Sequence, residues 1–276
     1  ATIRFIKNFN IDLVIEAFKY STLMMGVPTF YTRLIKDKRL DRSVTKNMKL
    51  FISGSAPLLT ETHQDFYNIT GHQILERYGM TETNMNTSNP FDGERKAGSV
   101  GKPLKDISIR INKTKGDKDT VLNKIGMIEI KGPNVFKGYL NNPEKTQEAF
   151  TKDGYFITGD IGFFDEDGYL FISGRNKDLI ISGGFNVYPK EIEDVINQHK
   201  SVIESAVFGI KDNDLGEVPI AAVVMINDNK EIKDLSVFVE NNLVKYKIPK
   251  KYIVINELPK NVMGKVQKNI LKDKYS

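Results

Sequence analysis

The chain has no cysteine among its 276 residues. That removes disulfides and thiolate metal sites and fits a reducing compartment. Its three histidines, His63, His72 and His199, have no metal-ligand spacing. No apolar run approaches the ~20 residues needed to cross a bilayer. The opening ATIRFIKNFN has neither an initiator Met nor the apolar stretch of a signal peptide, so it reads as the middle of something longer. Internal repeats and low-complexity tracts are absent as well. Two common signatures fail on spacing. GSVGK at Gly98 is not a P-loop, and Gly54-Ser55-Ala56-Pro57 lacks the GxSxG frame, so Ser55 is not expected to be a nucleophile.

What is present is the composition of a soluble globular protein, 40% hydrophobic and 27% charged. The length is too great for one average core and comfortable for two. Forty Lys and Arg against 35 Asp and Glu leave a mild net charge of +5. The densest basic stretch, KYKIPKK from Lys245 to Lys251, is either a solvated face or an attractor for a polyanionic ligand. No basic stripe interleaved with aromatics argues for nucleic acid.

Residues 1–90 read as part of an α/β sheet. Asn10 caps a helix over IDLVIEAFK with Ile11, Val14, Ile15 and Phe18 on one face. STLMMG is a buried strand, Pro28 opens the helix TFYTRLIKD, and MKLFISGS is a second strand. Thr60 to Ile69 is a helix closed by Gly71, and HQILERYG is a third strand. Met24, Met25, Phe51 and Phe171 read as core. Residues 91–175 form a small β-barrel or twisted sheet from SIRI, GMIEIKG, YFITGDIGFFD and GYLFISG, with a hairpin turn at Asp167-Gly168. The helix PEKTQEAF interrupts it. Residues 176–276 form a separate α+β unit of ordinary domain size, with strands DLIIS, ESAVFGI, PIAAVVMI and KYIVI. Its helices are PKEIEDVINQH, EIKDLSVFVENNL and VQKNILKDKY.

Four motifs follow one another through this frame. They are YGMTET at Tyr78 to Thr83, ITGD at Ile157 to Asp160, GRNKDLIISGGFNVYPKEIE at Gly174 to Glu193, and PKNVMGKVQKN at Pro259 to Asn269. The first lies just past a strand end, where open α/β sheets bind ligands. A tyrosine there can stack on a base, a threonine hydroxyl can donate to phosphate, and a carboxylate can hold Mg²⁺ between phosphates. Asp160 suits a pair of ribose hydroxyls, or makes local turn bonds. Lys265, on a loop before the last helix, is a movable point charge suited to negative charge developing at phosphorus.

With these four motifs in this order, the chain resembles the acyl-adenylate-forming enzymes, the family of acyl-CoA synthetases, firefly luciferase and peptide-synthetase adenylation domains. Within that family it looks most like the malonyl-CoA synthetases. The resemblance covers nearly the whole chain, but the first sheet of the family and its glycine- and serine/threonine-rich phosphate loop are missing.

The resemblance implies ATP, Mg²⁺ and coenzyme A as cofactors, a carboxylic acid as substrate, and no nucleic-acid or membrane partner. Tyr78, Gly79 and Met80 would flank the nucleotide, together with Gly54, Ser55 and Ala56. Thr81 would touch the α-phosphate, and Glu82 would be the magnesium ligand. Asp160 and Arg175 would hold the ribose, and Lys265 would drive adenylation. Lys177 would be a hinge for the smaller domain, after whose swing Ser182, Gly183 and Gly184 form part of the pantetheine passage. Arg33 and Arg77 would bind the carboxylate of a dicarboxylic acid that does not react. A short fatty or aryl acid is the alternative substrate. A non-catalytic nucleotide- or pantetheine-binding module, or a partner subunit, is the alternative of another class. A polypeptide without the phosphate loop is expected to make no malonyl-CoA alone. The expected setting is cytosolic, or mitochondrial if a targeting segment precedes these residues.

Overall fold

The structure is a computed structural model and describes residues 2–112, 124–226, 232–261 and 264–276. Its first sheet has five strands in the order β1 (Leu23–Gly26), β2 (Leu50–Ser53), β3 (Leu75–Met80), β4 (Asn84–Ser88) and β5 (Lys102–Pro103). The first three are parallel and the last two antiparallel. Helices α1 (Ile11–Ala17), α2 (Pro28–Leu34) and α3 (Thr60–Thr70) alternate with the parallel strands, as crossover connections require.

Local chemistry sets these helices. The Asn10 side chain accepts the Leu13 N–H at the start of α1, satisfying a donor that has no partner inside the helix. Pro28 occupies the first turn of α2. Gly71 ends α3 in the left-handed region at φ 75°. Their apolar faces meet in one aromatic core, with Phe51 edge-on to both Phe18 (5.6 Å) and Phe66 (4.9 Å). Tyr31 joins it fully buried, its hydroxyl donating to Ile52 O at 2.7 Å.

One expectation fails here. β1 is an end strand with alternating exposure: Leu23 and Met25 are 45% and 54% exposed. Met25 is therefore not core, because nothing among the described residues covers that face.

The second sheet runs β6 (Ser108–Asn112), β7 (Gly126–Lys131), β8 (Phe156–Phe164), β9 (Leu170–Arg175), all antiparallel. The described strands of this part form one four-stranded antiparallel sheet. The short helix α4 (Pro143–Glu148), capped by Asn142, lies between β7 and β8. The two sheets are stitched together where Val100 N–H donates to Leu170 O and Leu170 N–H donates to Gly101 O.

The third sheet contains β10 (Ile180–Ser182), β11 (Phe185–Val187), β12 (Val202–Asp212), β13 (Gly216–Met225) and β14 (Lys251–Val254). Residues of β12 and β13 alternate between two cores. Val207, Ala221 and Val223 face α5 (Pro189–Asn197) and α6 (Ile232–Asn242). Ala206, Phe208, Ile220 and Ala222 face α7 (Lys268–Tyr275). Both faces are covered, so these strands read as continuous apolar runs rather than alternating ones.

Candidate functional site

The side chains singled out by sequence gather where β3 ends against β8. Tyr78, 8% exposed, donates its hydroxyl to Asp160 Oδ2 at 2.5 Å. The other carboxylate oxygen takes Arg175 Nε at 2.7 Å, because Asp160 and Arg175 are cross-strand partners on β8 and β9. Asp160 is only 4% exposed. Burial raises its carboxyl above the ordinary range, while the Tyr78 hydroxyl, Arg175 and Lys265 each pull it back toward the charged form. The Tyr78 phenol is pushed up, first by burial and then by the Asp160 charge, so it remains a donor.

Lys265 thus acts on Asp160 from a separate segment, the turn between β14 and α7. It is exposed, and its turn is closed by three bonds. Its N–H donates to Asn261 Oδ1 at 3.0 Å, Gly264 N–H donates to Asn261 O, and Asn261 N–H donates to Lys265 O. A Cβ placed on Gly264 would lie 3.3 Å from Thr29 Cγ2, so the turn rests on α2. Met263 of the same motif lies outside the described residues.

β3 passes into β4 through Thr81, Glu82 and Thr83. The hairpin is so tight at Gly79 that a Cβ there would stand 2.0 Å from Asn84 O; only glycine fits. Thr81 is exposed and Glu82 half-buried. Glu82 Oε1 accepts from Tyr139 at 3.2 Å, and Oε2 is without a protein partner among the described residues. Magnesium is commonly held by one or two carboxylates plus substrate phosphates, and one free carboxylate oxygen beside an exposed threonine fits that pattern. Among the described residues no cluster of three or more acidic or histidine side chains offers an all-protein site.

The Gly54-Ser55-Ala56 loop follows β2, with Ser55 at φ 70°. A Cβ on Gly54 would meet Arg77 Cγ at 3.5 Å, so the loop and Arg77 share one wall. Arg77 also faces α2, where its charge is felt by the Tyr31 phenol. Arg33, exposed one helical turn beyond Thr29, sits over the Phe9 ring at 5.6 Å. Among the described residues neither arginine has a carboxylate partner.

Two expected groups are not gathered at this point. Lys177 is exposed in the 3-10 turn Asn176–Asp178 directly after β9. Gly183 and Gly184 form the turn between β10 and β11, where Gly183 N–H donates to Leu215 O; their neighbours belong to the third sheet.

Sequence reasoning missed Tyr139, Asn134 and Glu76. Glu76, two residues before Tyr78 on β3, is 6% exposed and accepts the Gly98 N–H at 3.2 Å. Burial outweighs that bond, the Leu58 N–H and the charge of Lys190, and pushes its carboxyl up to about 8. The folded chain therefore keeps a proton that the unfolded chain releases near 4.5. This contribution is fully present below that pH and is lost as pH rises to about 8, at ~1.4 kcal/mol per pH unit. Denaturant titrations of Glu76→Gln should show a smaller decline in stability across this window than the parent. Identical slopes would contradict the assignment.

Two family models match the chain: the AMP-binding enzyme model over residues 2–140 and the AMP-binding enzyme C-terminal domain model over residues 191–265. The chain belongs to the AMP-binding enzyme family. Among its relatives, a malonate–CoA ligase of Arabidopsis thaliana is 41% identical over 271 residues, covering 91% of this chain and 44% of the relative. Malonate–CoA ligase ACSF3, mitochondrial, of Bos taurus is 35% identical, covering 98% of this chain and 52% of its own length. The crystal structure of ATP-bound MatB from Rhodopseudomonas palustris superposes with a TM-score of 0.95 at 51% identity, covering 98% of this chain and 54% of that one. The chain spans about half the length of these relatives. No helix among the described residues is long and apolar enough to cross a membrane.

Proposed function

We propose that this chain works as the carboxyl-terminal portion of an acid–thiol ligase. The enzyme activates malonate (or methylmalonate) with ATP and passes the acyl group to coenzyme A. The observation that carries the reading is the Lys265 turn resting on α2 with its charge acting on Asp160. Similarity to proteins named malonate–CoA ligase supports the choice of acid.

In the first half-reaction a malonate carboxylate oxygen attacks the α-phosphorus of ATP. The bond to the bridging oxygen breaks, and pyrophosphate leaves with the electron pair. Lys265 neutralises charge building on the pentavalent phosphorus, and the Thr81 hydroxyl donates to an α-phosphate oxygen. Asp160 accepts from the ribose hydroxyls, and Arg175 keeps that carboxylate oriented and ionised. Tyr78, Gly79 and Met80 border the nucleotide with Gly54, Ser55 and Ala56. When Mg²⁺ is bound with the nucleotide it screens phosphate charge, and Glu82 Oε2 is the protein oxygen offered to it.

In the second half-reaction the smaller domain turns about Lys177. That carries Lys265 away and brings Gly183 and Gly184 toward the thiol's path. The thiol of coenzyme A gives up its proton, attacks as thiolate, and displaces AMP from the acyl carbon.

Arg33 and Arg77 hold the carboxylate that does not react. A bidentate arginine left without its anion, or an anion without its arginine, costs several-fold to several hundred-fold in discrimination. Replacing either arginine with alanine in the full-length enzyme should lower kcat/KM for malonate by about 100-fold. Butyrate turnover should change by no more than about threefold, since a monocarboxylate makes no such contact. Equal losses on both acids in a side-by-side panel would sink the dicarboxylate reading.

A further inference from the structure

Glu82 stands on a turn, half exposed, where a free carboxylate would sample several rotamers. A separate segment braces it. The Asn134 amide donates to Thr83 O (2.5 Å), Met85 O (3.2 Å) and Asn86 Oδ1 (3.0 Å). Phe136 N–H donates to Glu82 O at 2.8 Å, which fixes the backbone of the acidic residue itself. The Tyr139 hydroxyl then reaches Glu82 Oε1 at 3.2 Å.

Tyr139 is itself held by three contacts. Its N–H donates to Thr146 Oγ1 at 2.9 Å. Its ring meets Phe136 edge-on at 4.9 Å, and Lys145 Nζ lies 4.4 Å from the ring centroid. The preceding Gly138 allows this approach: a Cβ there would stand 2.5 Å from Thr146 Cγ2, at φ 150°. The phenol is therefore a fixed donor aimed at one of two equivalent carboxylate oxygens.

We propose that Tyr139 is a positioning residue that presents Glu82 to the divalent cation accompanying the nucleotide, as a ligand through one oxygen. The proposal rests on the metal role given to Glu82 above. Tyr139 occupies Oε1 and turns Oε2 outward; it touches neither nucleotide nor metal. Groups that orient a ligand in this way typically govern metal affinity by about tenfold or more.

Tyr139→Phe keeps the ring contacts and removes only the hydroxyl. In the full-length enzyme at saturating ATP, the Mg²⁺ concentration giving half-maximal activity should rise by about tenfold. Mn²⁺ binding to the enzyme–ATP complex, followed by electron paramagnetic resonance, should weaken by the same factor. ATP binding measured in a chelator, and the unfolding temperature, should match the parent. Glu82→Gln measured alongside should show at least as large a shift, with the double variant adding nothing. A shift for Glu82→Gln and none for Tyr139→Phe would overturn the positioning role and leave the Glu82 reading intact. No shift for either would remove both. A shift for Tyr139→Phe alone, or weaker metal-free ATP binding, would mean that the phenol acts by another route.

Discussion

Replacing Lys265 with alanine in the full-length enzyme should lower acyl-adenylate formation by about 1,000-fold, the size expected when a dedicated charge is removed from a transition state. The turn that carries it has its own closure through Asn261, and the lysine side chain is exposed, so folding should be unaffected. The ammonium has no carboxylate within ion-pair distance among the described residues, and its charge is one of those that favour the ionised form of Asp160. Thioester formation from supplied malonyl-adenylate should fall by less than about threefold, because that step requires no charge at phosphorus. Rapid-quench measurement of the two half-reactions separates them. Equal losses would contradict the division of labour between the two lobes.

Asp160→Ala should raise the KM for ATP by about 100-fold, since two charge-assisted hydrogen bonds to sugar hydroxyls are worth roughly 3 kcal/mol together. Arg175 and Tyr78 both rely on this carboxylate, so the unfolding temperature should fall as well. Asp160→Asn separates the two effects. It keeps the volume and one acceptor, and should restore most of the stability while leaving ATP binding weak. The check is a nucleotide-binding titration beside a thermal melt. ATP affinity that recovers in step with stability would show Asp160 to be structural.

The parts of this site that sequence revealed were those whose chemistry is unusual for their place. Asp160 and Arg175 fall on adjacent strands of a hairpin whose Asp167-Gly168 turn was legible, so their pairing follows from local register. The capped start of α1 and the glycine end of α3 were legible for the same local reason. Contact between Tyr78 and Asp160 joins residues 82 positions apart, and no local pattern announces it. β4, β5 and β11 were missed because their stretches are polar or only two or three residues long, too short for any periodicity. Tyr139 carries no local signal of function, since a tyrosine beside a glycine belongs to no recognisable motif. Its significance comes from a hydroxyl that reaches across to another segment. Met25 reads as core from its apolar run, and an apolar run does not distinguish an inner strand from a terminal one.

That terminal strand has a consequence for handling the molecule. Among the described residues β1 ends its sheet with Leu23 and Met25 facing outward, so one row of amide and carbonyl groups and one greasy flank stay open together. Such a rim is a template for another strand, and a second copy of the same polypeptide is the nearest supply. Met25→Lys is the smallest change that would blunt this rim.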